Sequence, residues 1–316
     1  MRIRKKQRAD FLAAVAVMLC CAFFSCCAKV EQAPPEDITV TEALAEPYPV
    51  TIGSLVFNAA PETVGSLSPA ITDIIVELGF SDRLVGVSSY CDYDGKPSSM
   101  ADLGSAANPD VDAVINSKPT LLISHSPIAK KDITAIEGAG TRVLIIPAPS
   151  STDELYELYR MIFRVFNGDD DGENEKITEC FSQLERSFNN YGGILGDYVY
   201  IMSSKLAFAS EDSFGGSFFS HLGKNAAAGE EGKSLTKERL LELDPEYVII
   251  PSGLKLSRLP EELSAVQNNK VIRLDENTER LLERPTSEIY KAADYIAAAV
   301  AVSDSGDDTD ESVGGE

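Results

Sequence analysis

The most regular apolar pattern in the chain begins at Ser68-Pro69. Ile71, Ile74, Ile75 and Leu78 fall at i, i+3, i+4 and i+7, which is one buried stripe of an α-helix. Ser68 is a good N-cap, Pro69 suits the first helical position because its missing N–H has no partner there anyway, and Gly79 suits the C-terminal cap. Residues 84–87 read as a short buried strand. A second helix opens at Asn108-Pro109 with Val111, Val114 and Ile115 inward, and Lys118-Pro119 stops it. A strand over 120–124, a helix carrying Ile133 and Ile136, the Gly138-Ala139-Gly140 turn and a strand over 142–146 follow. Strands alternating with helices predict a largely parallel sheet.

The same order recurs further on. Thr236 caps a helix with Leu240 and Leu241, Asp244-Pro245 stops it, and residues 247–250 form a strand. Leu263 and Val266 lie on the next helix and 271–274 on the next strand. Superposing Lys118-Pro119 on Asp244-Pro245 gives an offset of 126 residues, which pairs Val114 with Leu240, Ile115 with Leu241 and Asp112 with Glu238. An internal repeat of a helix-strand-helix-strand unit argues for two similar lobes rather than one sheet. Between them Ile177, Phe181, Leu184, Phe188 and Tyr191 keep one helical stripe over about four turns, long enough to cross from lobe to lobe.

The two ends have a different character. Five basic residues up to Arg8 precede an apolar run of 14, Phe11 to Phe24. That is short for a membrane span and has the length of a secretion-signal core. Ser25 before Cys26 resembles the lipobox of bacterial lipoproteins, with Phe23 and Phe24 departing from its usual residues. On that reading Cys26 is diacylated, and several acyl chains hold the protein at a membrane face. Residues 303–316 are acidic and nearly free of apolar side chains, and read as a disordered tail. The expected organisation is a signal peptide over 1–25, a tether over 26–49, an N-terminal α/β lobe over 50–173, a bridging helix over 174–192, a C-terminal α/β lobe over 193–302 and the tail.

Composition then narrows the function. The 316 residues carry 28 Lys+Arg against 50 Asp+Glu, a formal net charge of -22. Removing residues 1–25 leaves 23 against 49, a net of -26. Such a surface repels phosphate backbones and excludes nucleic-acid binding. Two His make a His-rich metal centre improbable, and no metal ligands are assigned. No G-x-S-x-G elbow, Walker loop, dinucleotide fingerprint or C-x-x-C occurs, so no catalytic residue is assigned and the chain reads as a non-enzyme. Nothing in the spacing of Cys27, Cys91 and Cys180 assigns a disulfide.

Ser68-Pro69-Ala70-Ile71-Thr72-Asp73, the run Val85-Gly86-Val87-Ser88-Ser89-Tyr90-Cys91-Asp92-Tyr93, Asn108-Pro109-Asp110-Val111-Asp112 and Lys118-Pro119 resemble the cobalamin and ferric-siderophore substrate-binding proteins of ABC importers. Gly223-Lys224-Asn225-Ala226 is similar to that family's Gly-Gly-x-Asn segment, with Lys224 for Gly, and Arg284-Pro285-Thr286 to its Arg-Pro-Gly stretch, with Thr for Gly. The resemblance covers about residues 56–302. It implies a class III periplasmic-binding-protein fold, two α/β lobes with largely parallel sheets bridged by one long helix, whose lobes close little on ligand.

The resemblance also implies roles. Asp112 and Glu238, one acid on each lobe tip, would dock to Arg on two permease subunits; a plain alternative is complementarity to a helix N-terminus. Tyr90, at the end of a strand, would pack on ligand, with Asp92 and Tyr93 as nearby candidates; from its own place after the strand over 120–124, His125 would face the same cleft and touch a ligand or heme iron. Phe214, Phe218 and Phe219 would add apolar contact from the second lobe, or else belong to its core, the commoner fate of paired Phe. His221 reads as a core or surface histidine, and Lys255 and Arg258 as a solvated loop. The expected protein is a monomeric, exported lipoprotein on the outer face of a bacterial cytoplasmic membrane, or else periplasmic, without a prosthetic cofactor. Its expected partners are a metal chelate, corrinoid before ferric siderophore before heme, and an ABC permease dimer. A surface lipoprotein that senses ligand or passes it to another receptor, and an enzyme acting on the chelate, are the rival readings.

Overall fold

The computed structural model describes residues 47–91, 99–169 and 173–305. The chain enters through an antiparallel hairpin, β1 (Val50–Ile52) and β2 (Leu55–Phe57), turned at Gly53 with φ +58. It then builds a five-stranded sheet from β3 (Val64–Ser66), β4 (Leu84–Val87), β5 (Ala101–Asp102), β6 (Leu121–Ser124) and β7 (Arg142–Ile145), in the order β5-β4-β3-β6-β7. Every pairing in it is parallel. Its helices are α1 (Pro69–Glu77), α2 (Val111–Ser117) and α3 (Lys130–Gly138).

Two longer helices follow, α4 (Thr152–Asn167) and α5 (Glu173–Tyr191). A four-stranded parallel sheet comes next, in the order β9-β8-β10-β11, from β8 (Asp197–Tyr200), β9 (Lys224–Asn225), β10 (Tyr247–Ile250) and β11 (Val271–Arg273). Its helices are α6 (Phe214–Ser220), α7 (Lys237–Leu243) and α8 (Ser264–Gln267). The chain returns through α9 (Glu276–Glu283) and α10 (Tyr290–Ser305).

The 126-residue offset is a structural repeat. It carries Asp110 onto Thr236, and each is the N-cap whose side chain accepts a backbone N–H three residues on. It carries α2 onto α7 and β6 onto β10, end for end. Strand alternation repeats too. Leu121 and Ile123 face a central core, as do Tyr247 and Ile249, while Leu122 and Val248 face separate outer cores. The central core is shared by both sheets and filled by Leu155, Tyr159, Ile162, Ile177, Phe181 and Leu184 of α4 and α5. The expected stripe of the bridging helix is therefore the face that joins the lobes.

Three expectations are corrected. The second helix starts at the Asp110 cap rather than at Asn108-Pro109, because the Asp110 carboxylate accepts the Ala113 N–H at 2.9 Å. The expected tail begins too early. Helix α10 runs on to Ser305, and Asp304 is held by Lys270 Nζ at 3.3 Å and by the Tyr247 hydroxyl at 2.9 Å. Those bonds keep the Asp304 carboxyl below the usual carboxylate range. Phe218 and Phe219 are core: both are fully buried, their rings 5.2 Å apart, with Phe188 against Phe218.

Candidate functional site

Strands of a parallel α/β sheet deliver their loops to the carboxyl edge, where ligands bind. Among the described residues six large apolar side chains are exposed, and four of them stand at or just past such edges. Tyr90 follows β4 and Ile145 ends β7 in the first lobe. Met202 follows β8 and Leu256 follows β10 in the second. The positions have no common sequence motif, which is why Ile145, Met202 and Leu256 were not expected: their exposure depends on where each strand ends.

Tyr90 is presented by a braced turn. The Ser88 hydroxyl accepts its N–H at 3.3 Å, Ser89 donates to Asp102 at 2.6 Å, and the Cys91 thiol donates to the Thr72 hydroxyl of α1 at 3.3 Å. Tyr90 is 65% exposed, so the fixed backbone holds an aromatic side chain toward solvent. Arg284, of the Arg-Pro-Thr stretch, donates from Nη1 to the Tyr90 carbonyl at 3.4 Å. This bond joins the corner after α9 to the first lobe beside Tyr90.

His125 follows β6. Its Nδ1 lies 2.9 Å from the Ile146 carbonyl, which only accepts, so Nδ1 carries the proton and donates. The opposite nitrogen, Nε2, is then a bare lone pair, buried and without a hydrogen-bond partner among the described residues. Burial pushes the imidazole below its ordinary pKa, which keeps it neutral at pH 7. A neutral ring with its proton fixed by a carbonyl is an acceptor for a ligand donor or a metal. His221 is placed differently: it stacks on Phe188 at 4.1 Å and its Nε2 meets the Thr152 hydroxyl at 2.9 Å, a lobe-to-helix contact.

Asp112 and Glu238 are both exposed in the first turns of α2 and α7. Neither joins an ion pair to another described residue. The Glu238 carboxyl is held below the usual range by backbone N–H bonding and by the Thr236 hydroxyl. Lys255 and Arg258 are exposed. Asn225 is structural: its amide donates to the Ala209 carbonyl and its oxygen accepts the Ala227 N–H at 3.0 Å. Asp92, Tyr93 and Cys26 lie outside the described residues. Phe218 is buried too deeply to touch a ligand.

A family model described as periplasmic binding protein matches residues 64–278. The chain belongs to the periplasmic binding protein family. This family comprises binding components of transport rather than enzymes, in keeping with the reading of the sequence as a non-enzyme. The periplasmic binding protein is 26% identical over 276 residues to the uncharacterized ABC transporter substrate-binding lipoprotein YvrC of Bacillus subtilis, covering 81% of this chain and 86% of that one. Its fold is similar to the vitamin B12 binding protein BtuF of Vibrio cholerae, with TM-score 0.59 and 21% identity, covering 77% of this chain and 98% of the other. It is also similar to the apo periplasmic heme-binding protein RhuT of Roseiflexus sp. RS-1, with TM-score 0.57 and 20% identity, covering 77% and 98%. These likenesses establish the class III architecture. Among the described residues no helix of the binding protein is long and apolar enough to cross a membrane.

Proposed function

We propose that the protein is the substrate-binding lipoprotein of an ABC importer, that it holds a metal chelate at the carboxyl edges of its two sheets, and that the chelate is a corrinoid. The observation that carries this reading is the set Tyr90, Ile145, Met202 and Leu256. Large apolar side chains left in water at the carboxyl edges of both sheets suit a bulky ligand with apolar faces. The braced Tyr90 offers a flat ring at little entropic cost. The relative's description as a substrate-binding lipoprotein supports the importer and the anchor at Cys26. The resemblance of the stretch around Tyr90 favours corrinoids over ferric siderophores and heme. On this reading Asp112 and Glu238 dock to two permease subunits, and the repeat supplies the near-twofold arrangement that such a dimer requires.

The test is isothermal titration of residues 28–305, a range that keeps Asp304, against cyanocobalamin, dicyanocobinamide, hemin and a ferric siderophore panel. Tight one-to-one binding of a corrinoid is expected. Binding of another chelate only would replace the cargo and keep the importer. No binding by any would remove the metal-chelate reading.

A further inference from the structure

Besides the shared core around α4 and α5, the lobes meet at a joint with its own chemistry. Apart from α5, the corner between α9 and α10 returns to the first lobe, where Glu77, the last residue of α1, receives it. The Ser287 hydroxyl donates to Glu77 Oε2 at 2.6 Å and the Tyr159 hydroxyl donates to the same oxygen at 2.5 Å. The Ser287 N–H in turn donates to the Tyr159 oxygen at 2.7 Å. Three side chains from α1, α4 and the corner thus close a ring of hydrogen bonds. Tyr159 is fully buried and Ser287 nearly so. Burial and the neighbouring Glu77 charge push the Tyr159 phenol well above its ordinary pKa, so it stays a donor at any physiological pH. Bonds from hydroxyls to a carboxylate are among the stronger ones available to a protein.

Ser287 stands three residues after Arg284, and Pro285 restricts the backbone between them. Fixing Ser287 therefore fixes where the Arg284 guanidinium can reach. Its bond to the Tyr90 carbonyl is long, 3.4 Å, so it does not hold the corner by itself. The far side of the Tyr90 turn is tied to α1 as well, through the Cys91 thiol and Thr72. Two supports of the Tyr90 turn thus pass through one helix, at Thr72 and at Glu77, beside the Ser89–Asp102 bond to β5.

We infer that Glu77, with Tyr159 and Ser287, is a latch that positions Arg284 against the Tyr90 turn and so sets the geometry of the ligand edge. None of the three latch residues is assigned to contact ligand; Glu77 acts through Arg284 as a positioning residue. The inference about affinity rests on the proposed ligand site at Tyr90, while the latch itself can be read without any ligand.

The experiment compares the full chain with its Ser287→Ala, Ser287→Thr and Tyr159→Phe variants. Hydrogen exchange of the ligand-free proteins is followed in peptides covering 84–91 and 280–289 and, as reference, strands β6 and β10. Ser287→Ala is expected to speed exchange about tenfold in both test segments and leave the reference strands unchanged, with Ser287→Thr restoring protection. Tyr159→Phe is expected to act on the same two segments. Titration with cyanocobalamin, hemin and ferric siderophores should show the chelate that wild type binds held about tenfold more weakly by Ser287→Ala. Exchange unchanged in residues 84–91, or raised equally in the reference strands, would overturn the latch, the second because it marks a role in general stability alone. A wild type that binds none of the chelates, with the exchange pattern as expected, would overturn the ligand reading and keep the latch. Local exchange with unaltered affinity would overturn the positioning of the ligand edge.

Discussion

Lys118 and Asp244, 126 residues apart, both take the left-handed backbone conformation, with φ 50 and φ 36, and each ends a seven-residue helix just before a proline. A residue other than glycine in this region carries a conformational cost. The side chain offsets that cost at one of the two sites only. Asp244 accepts the Ser264 N–H at 3.0 Å and the Ser264 hydroxyl at 2.8 Å through its carboxylate, whereas Lys118 is simply exposed. Lys118→Gly is expected to stabilise the fold by about 0.5–1 kcal/mol. Asp244→Gly is expected to give no gain or a loss. Denaturant midpoints of both variants check this, and an equal gain at the two sites would contradict the account.

Asp112 and Glu238 are exposed at equivalent helix starts, so replacing them removes charge without opening the core. Asp112→Ala and Glu238→Ala should each leave chelate affinity within about twofold and lower uptake by about tenfold in cells carrying the cognate permease, as expected for lost charge-assisted docking pairs. Affinity that falls with uptake would move both acids from docking to binding.

Tyr90 and Phe218 separate surface from core. Tyr90→Ala should weaken chelate binding by about thirtyfold with little change in stability, because an exposed aromatic anchor is lost and nothing buried is disturbed. Phe218→Leu should cost about 1–2 kcal/mol of stability and leave affinity nearly unchanged. Calorimetry and thermal denaturation on the same samples read both, and the opposite pattern would return Phe218 to the ligand.

Asp73 lies one turn before Glu77 on α1. Burial first, then the Glu77 charge, push its carboxyl up to about 6, against the partial opposition of Arg280 and Arg284, and Glu288 adds to the rise. A carboxyl raised in the folded state binds more protons there than in the unfolded chain between its ordinary pKa and about 6. Its contribution to stability is therefore present at acid pH and lost as pH rises through about 6. Asp73→Asn should accordingly raise the melting temperature at pH 7.5, with the gain shrinking as pH falls toward 4. A gain that grows on acidification would reverse the sign.

Much of the fold was legible because it rests on local rules. Ser68, Pro69 and Gly79 bound α1 as a cap, a first-turn proline and a left-handed terminator, and the offset that aligns two proline-stopped helices aligns their caps and strands as well. The β1–β2 hairpin and β3 went unread, since runs of three residues carry too little alternation to stand out. Of the candidate site, the positions of Tyr90 and the paired acids were reachable from motif and repeat. Met202 and Leu256 were not, because exposure of an apolar side chain follows from where a strand stops. The fate of Phe218 was decided by α6 packing on Phe188 of the bridging helix, a contact 30 residues away in sequence.

The joints between the lobes bear on how an empty carrier is told from a full one. A clamshell reports its cargo by changing outline, so a partner can read loading from the spacing of the two tips. Here the long helix α5 and the hydrogen-bond ring of half-buried Glu77 with Tyr159 and Ser287 brace the lobes, and the proposed reading has them do so with or without cargo. A partner touching only Asp112 and Glu238 would meet nearly the same outline in both cases. If the two acids dock as proposed, the message that cargo is present would have to be carried by the cargo itself, and empty carriers would compete with loaded ones for the same dock.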